Sequence, residues 1–154
     1  MTQGTTYQSI REILADLKRI HVQAAECCTS AATGSNSRPA LLADMFRRHN
    51  EFLARSLSQS SDRDLDRALA TWVQFVPTQQ VKEALESLKE VPAEDVDEVV
   101  CRAMTLQNEI ITALHQLADS AKPTMARHLL SELAHLEQGQ MRELGWAYTT
   151  KKDA

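Results

Sequence analysis

Four long stretches of this chain repeat apolar residues at intervals of three and four, and that spacing points to a bundle of amphipathic helices. The first, about residues 5–32, aligns Ile10, Ile13, Leu14, Leu17, Ala24, Cys28 and Ala31 on one side. It stops in TGSNSRP, a run of turn-forming residues from Thr33 to Pro39. The second, about 39–57, aligns Leu42, Met45, Phe46, Phe52 and Leu53. The third, about 94–119, opens with Glu94, Asp95, Asp97 and Glu98, which suit the positive end of a helix dipole. It continues through Val99, Ala103, Leu106, Ile110, Ala113 and Leu117. A break at Ser120–Pro123 leads to the fourth, about 124–148, with Ala126, Leu129, Leu130, Leu133, Leu136 and Leu144. The polar tail YTTKKDA is expected to fray.

Composition narrows the function. Gly and Pro number four each in 154 residues, too little punctuation for a barrel or sandwich of many short strands. A formal net charge of −4 offers no basic footprint for nucleic acid. Arg47, Arg48 and Arg55 read as a solvated outer face. No apolar run approaches the ~20 residues needed to cross a bilayer. The N-terminus has no basic start followed by an apolar block, so the expected compartment is the cytoplasm. Cys27, Cys28 and Cys101 lack CxxC spacing and are expected to be reduced thiols. There is no glycine-rich phosphate loop and no motif that pairs a nucleophile with a base.

The connections suggest the topology. Helices one and two, and helices three and four, are joined by short links, so each pair is expected to form an antiparallel hairpin. Between the pairs lies a long crossover, residues 58–93. Pro77 divides it into two expected short helices, Asp64–Val76 and Thr78–Glu90. Its apolar stretch ATWVQFV (Ala70 to Val76) is expected to pack on the bundle or against a second subunit. Two hairpins joined by one long crossover give an all-α, ferritin-like four-helix bundle in a single domain.

Counting about 100° per residue exposes polar residues inside the apolar arcs. His21 falls between Leu17, Ala24 and Cys28, and His49 among Leu42, Met45, Phe46, Phe52 and Leu53. Glu137 and Gln140 lie between Leu133, Leu136 and Leu144, and Glu109 sits at the margin of the third face. All are near the middles of their helices, so an antiparallel bundle brings them to one level. An unpaired carboxylate in an apolar interior costs several kcal/mol, so Glu137 must be paired, protonated or metal-bound. Two readings stay open: a hydrogen-bonded His–Glu cluster that fixes helix register, or a site for iron or manganese.

The helices also resemble a known family. LLSELAHLEQGQMREL (Leu129 to Leu144) is similar to the last helix of rubrerythrin-type ferritin-like proteins, with Glu137 at the metal Glu and Gln140 replacing the His. LLADMFRRHNEFL (Leu41 to Leu53) resembles the same motif with Phe46 at the Glu position and His49 retained. AMTLQNEIITALHQLA places Glu109 at the family's bridging carboxylate, and in the first helix His21 is the nearest candidate ligand. The family's two-iron site uses about four carboxylates and two histidines. Only Glu109, Glu137 and His49 match, and no rubredoxin-like Cys pairs are present.

The resemblance therefore implies a relative whose metal site has decayed or been rebuilt. The expected function is a non-catalytic or weakly metal-binding interaction or structural module, a homodimer with no cofactor or one iron or manganese ion. The alternative is an iron- or manganese-dependent oxidoreductase or iron-handling protein using His21, His49, Glu109 and Glu137. A binder of apolar ligands between the helices is a third reading. His128, Glu132 and His135 share an outer stripe of the fourth helix at spacings of four and three, continued by Arg142 and Trp146; it reads as an ordinary polar face, with a clasp for a divalent ion or a subunit contact as the alternatives.

Overall fold

The first helix starts later than the apolar spacing alone suggests, because the residues before it form a strand. In the computed structural model, which describes residues 6–32, 38–56, 72–75, 78–120 and 124–152, strand β1 (Thr6–Ser9) pairs antiparallel with β2 (Trp72–Phe75). The register sets Thr6 opposite Phe75 and Ser9 opposite Trp72. Thr, Tyr, Trp, Val and Phe all favour a pleated surface, and all five occur within TYQS and WVQF, the latter just before Pro77. This corrects two expectations: residues 6–9 are not helical, and the expected helix Asp64–Val76 ends as strand. Residues 64–71 lie outside the described residues. Strand β2 packs on the third long helix, in line with this part of ATWVQFV lying against the bundle; residues 70, 71 and 76 lie outside the described residues.

Helix α1 (Ile10–Ala32) then begins at a side-chain cap. The Glu12 N–H donates to Ser9 Oγ at 3.2 Å, and Ser-Ile-Arg-Glu carries the S-x-x-E pattern of such a start. The other helices are α2 (Arg38–Ser56), α3 (Thr78–Lys89), α4 (Val96–Ser120) and α5 (Thr124–Lys152). The four long ones match the four apolar stretches, and α3 matches the second expected crossover helix. At the start of α4, Asp97 and Glu98 occupy the first turn, and the Val99 N–H donates to the Asp95 carbonyl at 3.1 Å. Helix α5 runs on to Lys152, through the tail expected to fray.

Helices α1 and α2 pack together most extensively, followed by α4 and α5, so the two expected hairpins are the main units. Helix α2 then touches both members of the second hairpin, and α3 lies across α4 and α1. Arg102 ties α3 to α4, bonding Glu98 at 2.7 Å and the Ser87 hydroxyl. One continuous apolar core joins Ile10, Ile13 and Leu17 of α1 to Phe46 of α2, Val81 and Leu88 of α3, Ile110 and Leu114 of α4, and Leu130 of α5. Phe52, expected in this core, is 42% exposed. It lies about 120° around the helix from Phe46 and follows the half-buried Met45 instead. No described helix is long and apolar enough to cross a membrane.

Ile110 is fully buried, so Ile110→Ala is expected to cost about 2–5 kcal/mol in urea unfolding, whereas Val22→Ala at an exposed position should stay within about 0.5 kcal/mol.

Candidate functional site: a buried histidine–glutamate layer

At mid-bundle, helical spacing turns polar groups into the core from four helices. His21 lies between Leu17 and Ala24 on α1, and Asn50 sits one turn after Phe46 on α2, beside His49. On α4, Gln107 follows Leu106 and precedes Ile110. On α5, Glu137 follows Leu130 and Ala134 at helical spacing. His21, His49, Asn50, Gln107 and Glu137 are all buried, with His21 wholly so.

Their contacts form a chain. Asn50 donates its amide to the Phe46 carbonyl at 2.8 Å, so its Oδ1 faces His21 and accepts a bond from Nδ1–H at 2.6 Å. The other ring nitrogen, Nε2, meets Glu137 Oε1 at 2.8 Å. Gln107 donates its amide to the remaining Glu137 oxygen. With Gln107 donating to one oxygen and Nδ1 already protonated, the consistent arrangement is an imidazolium donating from Nε2 to a carboxylate. Burial pulls the His21 pKa down, but the Glu137 charge, its hydrogen bond and that of Asn50 outweigh burial and hold it above the usual histidine range.

His49 is the opposite case. Its Nδ1–H donates to Gln140 Oε1 at 3.1 Å, while Nε2 is buried without a hydrogen-bond partner. Burial lowers its pKa, and the charge of His21 adds to that. Glu137, Gln140 and the nearby Gln107 act the other way without prevailing. Two histidines in one layer are thus driven apart, one pKa raised and the other lowered. Beyond His49 a groove of about 260 Å³ opens to solvent, lined by Met45, Arg48, His49, Phe52, Gln140 and Glu143.

Of the residues singled out from the sequence, His21, His49, Glu137 and Gln140 therefore meet in one layer. Glu109 does not: it is half-buried, and no described hydrogen bond or ion pair joins it to the others. Gln107, about 200° away around α4, carries the inward polar group in its place. Asn50 and Gln107 were missed because amides inside an apolar arc signal less strongly than ionisable groups. Their positions one turn from Phe46 and beside Leu106 were the available sign.

The donor set does not fit a two-iron centre. His21 spends Nδ1 on Asn50 and Nε2 on Glu137, so neither ring nitrogen is turned to a shared metal position. Glu137 and His49 Nε2 are then the remaining ionisable donors in the layer. Among the described residues, no three or more His, Cys, Asp or Glu side chains are grouped to hold a metal ion. Cys27, Cys28 and Cys101 are free, and burial with the neighbouring Cys27 pushes Cys28 up to about 12.

Glu137→Ala would leave His21 buried without its counter-charge, and chemical unfolding at about pH 6 should show a loss of about 3–5 kcal/mol. The two histidines also impose opposite pH limbs. His21, raised in the fold, contributes stability that is full below the unfolded value of about 6.5 and is lost as pH rises through its folded value. His49, lowered in the fold, favours the folded state above about pH 6.5, and that contribution falls as pH drops toward its folded value. Stability measured against pH should flatten on the acid side in His49→Gln and on the alkaline side in Glu137→Gln.

No protein-family profile matches the chain, and searches of curated proteins and of solved structures find no significant match.

Proposed function

We propose that this chain is a ferritin-like helical module, akin to the rubrerythrin type, whose metal layer has been rebuilt into a hydrogen-bonded polar layer. On this reading it is a non-catalytic interaction or structural module that assembles as a homodimer. The carrying observation is that His21 spends both ring nitrogens on Asn50 and Glu137, while Glu137 spends both oxygens on His21 and Gln107. A ligand layer needs lone pairs directed at a common point; here His21 and Glu137 are turned to their neighbours in the layer, and His49 Nε2 alone is left without a partner. The two hairpins and the crossover helix α3 support the ferritin-like connectivity. The half-exposed Phe52, next to Met45 along the α2–α5 groove, supports a subunit contact.

The rival reading, a single iron or manganese ion serving redox chemistry, makes the opposite prediction about metal content. Untagged protein purified from iron- and manganese-supplemented cells should carry well under one equivalent of either metal by elemental analysis. His49→Ala and Glu137→Ala should leave that content unchanged. Stoichiometric iron or manganese that disappears in those variants would reverse the assignment.

A further inference from the structure

Outside the core, the seam between α4 and α5 gathers a second group of imidazoles. His128, Glu132 and His135 share one face of α5 at spacings of four and three, and the His128 ring bonds Glu132 at 3.0 Å. From α4, the half-buried His115 ring stands edge-on to His135, with centroids 6.4 Å apart and planes at 88°. Asp119 lies one turn further along the His115 face of α4. Two rings from different helices thus face each other, with Glu132 and Asp119 each within about one turn along the same faces.

We propose that His115 and His135 form a surface clamp for one borderline divalent transition cation, of the Zn²⁺ class. Imidazole is a preferred ligand for such ions, at about 2.0–2.1 Å from nitrogen to metal. Two imidazoles on one tetrahedral ion place their ring centres roughly 5–6 Å apart, by the same bond lengths. The observed separation closes to that range by a small rotation of His135, whose exposed side chain has room to turn. Partial burial restricts the His115 ring more than the exposed His135. Solvent fills the other coordination positions, and the Glu132 and Asp119 carboxylates set a negative local field that favours a dication. Hard ions such as Mg²⁺ and Ca²⁺ prefer oxygen donors and gain little here.

The clamp is independent of the His21–Glu137 layer, and calorimetric titration of the untagged protein with Zn²⁺ alone separates the two. One equivalent should bind wild-type protein, with affinity falling by at least about tenfold in His115→Gln and in His135→Ala. His49→Gln should bind like wild type. The melting temperature should rise with Zn²⁺ in wild type and His49→Gln, and much less in the two clamp variants. Absence of binding to wild type, or equal binding by His135→Ala and wild type, would overturn the clamp. Loss of binding in His49→Gln alone would overturn it too, and would place the metal in the core.

Discussion

An imidazole and a carboxylate held 2.8 Å apart, with almost no access to water, are the constraint around which this bundle is arranged. Moving both charges into the interior costs several kcal/mol each, and their attraction repays this only with good geometry and further hydrogen bonds. Asn50 and Gln107 supply those bonds, so the pair is satisfied only when α1, α2, α4 and α5 meet at one level. The apolar core drives association of the helices. The polar layer penalises every register that separates its members. We infer that its contribution is specificity more than net stability.

Much of this was legible in the sequence. The four long helices follow from the three-and-four spacing of residues such as Ile13, Leu17, Ala24 and Cys28, or Val99, Ala103, Leu106 and Ile110. The inward placement of His21, His49 and Glu137 follows from the same geometry. What escaped depends on partners distant in sequence. Strand β1 forms because Trp72–Phe75 lies beside it, and no local pattern in TYQS announces that pairing. Glu109 looked like a site residue because it is ionisable and near a buried face, yet Gln107 has the inward angle. Phe52 looked like core because it is aromatic, but its angular position follows Met45 toward the groove.

The two histidines show how identical side chains acquire different chemistry from placement alone. His21 has a carboxylate at hydrogen-bond distance and a fixed acceptor on its other side, and its charge is held. His49 has an amide on one nitrogen and nothing on the other, in a layer that already holds a positive charge. A metal-binding layer asks for neutral imidazoles and open carboxylates. On the proposed reading, the proton on His21 neutralises Glu137 from within the protein, as a cation does in a metal-binding bundle.

That proton is directly observable. A long-range proton–nitrogen NMR spectrum of the histidine rings at about pH 7 separates imidazolium from either neutral tautomer. Both ring nitrogens of His21 should be protonated there, while His49 carries a proton on Nδ1 alone. A His21 ring with one bare nitrogen at that pH would contradict the ion-paired layer and return its lone pair to the set available for a metal.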